Sequence, residues 1–320
     1  MDTAPEGSFK TIWGCWLAVC IASGYPVFGH AVKQGQVMII DEETPESSLD
    51  YHLARFSKGL GFNYSELPIY RYSMKGFRFG RKTEMDKILK LVSHIDPIFI
   101  RMDSLLAMLP GGRQFQSEND SRLGEMIRDD LNQLLNPECS ILIAAHSKKY
   151  IAELSLEEVS GMEMQGIVRG HGSIVGEGCD TGYIIKKVST HPNPTRFCVI
   201  TKARRQAIPD DQPHLIELKE EYYGLGWARL ELIPLDSLPP SDLARIVYHT
   251  FNLGTARGGS LEHSSKWILQ TCAFQTKREC KIGVQELMKH KVIVETKPQS
   301  YVLNPKRFSE CNPGYMQELI

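Results

Sequence analysis

Lys10 and Thr11 stand side by side at the head of residues 11–23, a run that is apolar on most sides. Binding a phosphate chain needs backbone N–H groups turned inward, a lysine that reaches the outer phosphates, and a hydroxyl for a magnesium ion. Lys10 and Thr11 supply the last two, and the start of a helix adds its own preference for anions. The candidate cradle is Gly7, Ser8, Phe9, Lys10 and Thr11. The strict glycine pattern G-x-x-x-x-G-K-[ST] fails at two places, where Ala4 and Phe9 stand. Alone, a Lys-Thr pair before a helix serves equally well as a simple cap.

Three further sets of polar residues follow short apolar runs. Residues 37–40 lead into Asp41-Glu42-Glu43, residues 98–102 into Asp103-Ser104, and residues 141–145 into His146-Ser147-Lys148-Lys149. A carboxylate just past a buried strand points at the sheet edge where ligands bind in open α/β folds. One such carboxylate can polarise a water, and another can hold Mg²⁺. His146 could sense a terminal phosphate. The plainer readings are an acidic helix cap for 41–43 and a surface histidine at a strand end. Arg101, inside the second run, is awkward, because a buried unpaired charge is costly.

The elements that must position these residues alternate. Strands are expected over 37–40, 98–102, 141–145, 183–188 and 197–201, with helices over 11–23, 45–59, 81–94 and 120–135. Near-continuous apolarity in the strands indicates a mostly parallel sheet covered by helices on both faces, an α/β fold. Residues 214–218 and 227–232 could form a final antiparallel pair. The expected division is 1–233 for this domain, a linker over 234–242 (PLDSLPPSD), and a small domain over 243–320. That domain should hold helices over 241–250, 263–271 and 276–290 and a two-stranded wing over 292–295 and 300–303. It fits a winged-helix pattern or a generic small helical cap.

Composition narrows the class. The chain has 320 residues, net charge −1 and 42% hydrophobic residues, so nothing global demands a polyanion. Residues 241–320, however, hold 11 Lys and Arg against 7 Asp and Glu, which favours a polyanionic partner at that end. Lys277, Arg278 and Lys281 lie off the apolar stripe of Cys280, Val284, Leu287 and Met288 and are candidate phosphate contacts. The eight cysteines form no C-x-x-C pair and no zinc spacing, so no structural metal is expected, and a reducing cytoplasm fits them best. Residues 12–22 imitate a secretion signal, but Asp2 and Glu6 precede them against one lysine, the wrong charge. No run reaches the ~18 apolar residues of a membrane span.

Taken in order, GSFKT with its helix, VMIIDEE, DPIFIRMDSL, ILIAAHSKK, VRGHGSIVGEGCD and VITKARR resemble the RepA-type hexameric-helicase branch of the RecA-like P-loop ATPases, found in plasmids, phages and mobile elements. The likeness covers about residues 4–220. It implies ATP and Mg²⁺ as cofactors, single-stranded DNA as partner and self-association into a hexameric ring. Lys10 and Thr11 match the phosphate lysine and the Mg²⁺ hydroxyl. Glu43 matches the catalytic glutamate, with Glu42 its rival, and Asp103 the metal-binding aspartate. His146 matches the second of a histidine pair whose first member is Ala145 here. Lys202 and Arg204 match the basic fingers that reach a neighbouring subunit's γ-phosphate. Loops 110–119 and 148–171 would face nucleic acid, with Arg113, Phe115, Lys148 and Arg169 as contacts. The resemblance also implies a strand directly before the phosphate loop, and the sequence is expected to lack it. The rival reading is an ATP-binding regulator that does not hydrolyse and that acts through its C-terminal domain.

Overall fold

In the computed structural model of the chain, the described residues are 1–4, 9–110, 121–152, 154, 159, 167–168, 181–187, 195–203, 213–221, 226–233, 242–256, 262–271 and 277–304. They fall into two compact units, Met1–Ile233 and Pro234–Ile320.

The first unit is built on nine strands, β1 (Asp2–Ala4), β2 (Val37–Asp41), β3 (Ile69–Ser73), β4 (Phe99–Asp103), β5 (Ser140–His146), β6 (Thr181–Lys187), β7 (Thr195–Ala203), β8 (Pro213–Glu220) and β9 (Ala228–Leu232). Their order is β3-β2-β4-β5-β1-β6-β7-β8-β9. β3 through β6 run parallel, and β6 through β9 pair antiparallel. The sheet is therefore mostly parallel, and helices cover both of its faces, an α/β fold.

Side chains alternate across each strand, so each strand feeds two cores. Met38, Ile40, Ile100, Met102 and Ile143 pack with Met85 and Ile88 of α3 (Lys82–Ile95) and with Leu123 and Ile127 of α4 (Ser121–Leu134). Val37, Ile39, Phe99 and Leu142 pack on the other face, with α1 (Lys10–Ser23) and α2 (Glu46–Gly59). α1 lies under the sheet and beside α2, so nine of its fourteen residues are buried. That explains its apolarity on most sides. It ends at Gly24, whose left-handed backbone (φ 72°) lets its N–H reach Cys20 and Ile21. α2 closes on the far strands through Arg55, which pairs with Glu220 at 3.0 Å and donates to the Glu221 carbonyl. Gly59 allows that approach: a Cβ there would sit 2.0 Å from the Ala228 carbonyl oxygen.

Two expectations need correcting. The strand before the phosphate loop is not lacking. Asp2–Ala4 pairs with β5 on one side and β6 on the other, in the middle of the sheet. At three residues it is too short to show periodicity. β3 was not expected either. It lies at the sheet edge, where the polar alternation Ile69-Tyr70-Arg71-Tyr72-Ser73 replaces a buried apolar run.

The second unit holds α5 (Asp242–Ala256), α6 (Ser265–Thr271) and α7 (Lys277–Lys289), with β10 (Glu262–Ser264), β11 (Ile293–Lys297) and β12 (Ser300–Leu303) in an antiparallel sheet of order β10-β12-β11. Its core joins Val247, Tyr248 and Phe251 to Ile268, Cys280, Val284 and Leu287. Gly283 lets α7 cross α5 closely, since a Cβ there would lie 2.7 Å from the Leu243 carbonyl oxygen. Lys277, Arg278 and Lys281 are exposed on α7. Among the described residues, no helix is long and apolar enough to cross a membrane. Cys15, Cys20, Cys139, Cys198 and Cys280 are free thiols, all buried.

Candidate active site

β1, β2, β4 and β5 are parallel, so their C-terminal ends share one edge of the sheet. In register, Asp41 lies beside Asp103 and Ala4 beside His146. α1 begins at this same edge. One chain order therefore brings Lys10, Thr11, Glu43, Asp103 and His146 together from three strand ends and a helix start.

Lys10 is 7% exposed, and its Nζ donates to the Ala4 carbonyl at 3.4 Å. Burial lowers its pKa, against the pull of Asp103, Asp2 and Glu43. Phe9 precedes it with a left-handed backbone (φ 56°, ψ 7°) and gives α1 no side-chain cap. Thr11 Oγ1 donates to Asp103 Oδ2 at 3.1 Å. Burial pushes Asp103 up from the ordinary carboxylate value, while Arg101 pulls it down.

The rivals Glu42 and Glu43 separate clearly. Glu42 is turned into the loop after β3 and accepts the N–H groups of Lys75, Gly76 and Phe77 at 3.2, 3.0 and 2.9 Å. Arg78 adds an ion pair at 3.4 Å. Glu43 instead faces the strand ends. Its Oε1 accepts Ser104 Oγ at 2.5 Å and lies 3.3 Å from His146 Nε2. The hydrogen bond with His146 holds Glu43 below its usual range, against partial burial and with help from Ser104. A carboxylate held ionised in this way can accept a proton from water.

Thr11 and Asp103 are hard oxygen donors already in contact. That donor set fits a magnesium ion whose remaining ligands are phosphate and water oxygens. Among the described residues, no group of three or more His, Cys, Asp or Glu could hold a metal by itself.

The other expected residues are placed less fully. Lys148 follows His146 at the same edge, its N–H donating to the Ile167 carbonyl at 2.9 Å. Lys202 lies on β7 opposite Gly182. Gly7, Ser8, Arg113, Phe115, Arg169 and Arg204 lie outside the described residues. Lys277, Arg278 and Lys281 belong to the second unit. Sequence reasoning missed Ser104, whose only signal is its place after Asp103. It also missed Asp2, which carries no local signal. Arg101, the awkward charge, is buried but paired: Nη1 meets Asp2 Oδ1 at 2.5 Å and Nη2 meets Asp103 Oδ2 at 3.4 Å. Although burial pulls its pKa down, the two carboxylates hold Arg101 above its ordinary value.

Residues 1–150 match the family model described as an AAA domain. No curated protein matches the chain. The chain is similar to many solved structures, of which two are named. One is a KaiC-like protein from the hyperthermophilic archaeon Pyrococcus horikoshii OT3, at 11% identity over 73% of this chain and 88% of that one, TM-score 0.46. The other is a second protein's ATPase domain, at 12% identity over 68% of this chain and 79% of that one, TM-score 0.47.

Proposed function

We propose, from the premise that residues 1–150 match a family model described as an AAA domain and lie on a mostly parallel sheet, that the chain is a RecA-like ATPase that binds and hydrolyses ATP and uses the energy to move on or remodel single-stranded DNA. The observation that carries this reading is one cluster: Lys10 buried at the head of α1, Thr11 bonded to Asp103, and Glu43 bonded to Ser104 and facing His146.

Lys10 would neutralise the outer phosphates of ATP. Thr11 and Asp103 would hold Mg²⁺, which supplies charge neutralisation on the phosphate oxygens. Glu43 orients a water and takes its proton as the water oxygen bonds to the γ-phosphorus. The bond from that phosphorus to the bridging oxygen breaks, and ADP and phosphate leave. His146 and Ser104 fix the Glu43 carboxylate and keep it ionised.

The remaining assignments extend this reading. Lys202 and Arg204 would act in trans on a neighbour's γ-phosphate, which requires a ring or filament, a hexameric ring by resemblance. Arg113, Phe115, Lys148 and Arg169 would meet the DNA strand. The second unit, three helices with a small antiparallel sheet, is read as a winged helix whose Lys277, Arg278 and Lys281 meet phosphates. The protein would work in the cytoplasm.

The test is calorimetric binding of ATP to the full chain and to Lys10→Ala, joined to ATP turnover with and without single-stranded DNA. Binding lost in Lys10→Ala and turnover raised by DNA is the expected result. Equal affinity in both proteins rejects the site. Binding without turnover under either condition favours the regulator reading.

A further inference from the structure

The residue that makes β4 look least like a buried strand is Arg101, and its surroundings are built around it. It precedes Asp103 by two positions, so both side chains leave β4 on the face that α1 covers. Arg101 is 2% exposed. Its guanidinium reaches three elements at once: Asp2 Oδ1 on β1 at 2.5 Å, the Lys10 carbonyl in the first turn of α1 at 3.3 Å, and Asp103 Oδ2 on β4 at 3.4 Å. Asp103 Oδ2 is also the atom that accepts the Thr11 hydroxyl.

Two further residues make room for this arrangement. Asp2 is fully buried in the middle of the sheet and has its charge answered by Arg101. Gly14 sits one helical turn beyond Lys10, where a Cβ would lie 2.4 Å from Arg101 Nε and 3.1 Å from its Cδ and Cζ. Glycine is a poor residue for a helix interior, and here the guanidinium occupies the space its side chain would fill. Lysine cannot replace this group, because an ammonium is a point charge without a planar fork of donors.

We propose that Arg101 is a positioning residue for the metal-binding pair Thr11–Asp103, acting as a buried clamp that fixes β1, the first turn of α1 and the Asp103 carboxylate in one geometry. This rests on the nucleotide reading above. The clamp does not touch nucleotide or metal. It sets the rotation of the carboxylate and its distance from Thr11, which is the part of the site a metal ion needs and a bare nucleotide does not. The Mg²⁺-dependent part of nucleotide binding should therefore depend on Arg101, and the Mg²⁺-free part should depend on it much less.

The experiment is calorimetry of ADP binding to the full chain, with and without Mg²⁺, for the wild type, Arg101→Lys and Gly14→Ala, with the fold of each checked by circular dichroism. Gly14→Ala keeps every charge and favours the helix, so it shifts the guanidinium while leaving a positive group in the same buried space as Asp2. Both variants should keep Mg²⁺-free affinity within about threefold and lose roughly 10–100-fold in Mg²⁺ affinity, the scale seen when a group that orients a metal ligand is changed. An unchanged Mg²⁺ response in Gly14→Ala, or an equal loss with and without Mg²⁺ in both variants, overturns the assignment. Tighter Mg²⁺ binding also overturns it, because the charge of Arg101 would then matter more than its placement. Wild-type protein that binds no ADP, with or without Mg²⁺, overturns the nucleotide reading itself, whereas wild-type ADP binding that ignores Mg²⁺ overturns the metal pair and with it this assignment.

Discussion

Phe9 lies flat on Phe197, with ring centroids 5.0 Å apart and planes 8° from parallel. Phe9 also holds the left-handed backbone at the position where the phosphate-loop pattern places glycine. That conformation costs an L-residue about 1–2 kcal/mol, and a stacked aromatic pair contributes about 0.5–1.5 kcal/mol beyond its buried area. The two are of similar size, so the stack on β7 offsets the strain. Phe9→Ala keeps the strain and removes the stack, whereas Phe9→Gly removes both. Urea unfolding should therefore find Phe9→Ala less stable than Phe9→Gly by about 1 kcal/mol. The opposite order would place the strain elsewhere.

Asp41 gives the site a pH signature. Burial, with the neighbouring Asp103, raises its pKa from 3.8 to about 7. Its Oδ1 accepts the N–H groups of Glu43 and Thr44 at 2.9 and 2.6 Å, while Oδ2 is buried without a hydrogen-bond partner. The folded state holds this proton more tightly than the unfolded chain. Its stabilising contribution is thus complete below about pH 4 and is lost as pH rises to about 7. Asparagine keeps the Oδ1 acceptor without the charge. Asp41→Asn should match wild type near pH 4 and become progressively more stable, by up to about 4 kcal/mol, as pH rises to 7. Thermal melts across that range check it. A gain independent of pH would mean that Asp41 is ionised in the folded protein throughout.

Glu43 and Arg204 test whether the site is shared between subunits. Glu43→Gln should retain ATP binding and lose turnover by at least about 100-fold, as removal of a positioned proton acceptor does. Arg204→Ala should lose turnover as well, for want of charge on the developing transition state. Mixed together, the two inactive proteins should regain a fraction of wild-type turnover, because some interfaces would pair an intact Glu43 with an intact Arg204. Confirmed mixed assembly with no recovered turnover would argue against action in trans.

Lys277, Arg278 and Lys281 are exposed on α7, while Cys280, Val284 and Leu287 are buried and Met288 is half-buried beneath them. If this face meets phosphates, affinity for DNA should fall steeply with salt as counterions are released. Changing all three to Glu should weaken DNA binding and flatten the salt slope by about three, roughly one for each phosphate no longer neutralised. ATP affinity should stay as it was. Fluorescence anisotropy over a salt series measures the slope, and an unaltered slope would make this face a protein-docking surface.

The sequence makes some of this site legible and hides the rest for identifiable reasons. β2, β4 and β5 are apolar almost throughout because helices cover both faces, so their ends, and with them Asp41, Asp103 and His146, could be located. α1 was equally plain. Glu43 could be preferred to Glu42 only through the family resemblance, because neighbouring side chains differ only in which way the chain turns after β2. Arg101 looked like a defect because its partner Asp2 is 99 residues away. β3 escaped because an edge strand need not be apolar on both faces.

The central place of β1 sets the order in which this protein can assemble. Asp2–Ala4 precedes both of its neighbours in the sheet, Ser140–His146 and Thr181–Lys187, by more than 130 residues of chain. At the usual ribosomal rate of ~5–20 residues per second, the strand waits on the order of ten seconds for both partners to be synthesised. Until then the start of α1 has no fixed anchor, and Asp2 has no buried seat beside Arg101. Nascent chains stalled short of residue 187 should therefore be unable to retain ATP, even though Lys10 and Thr11 have already been made.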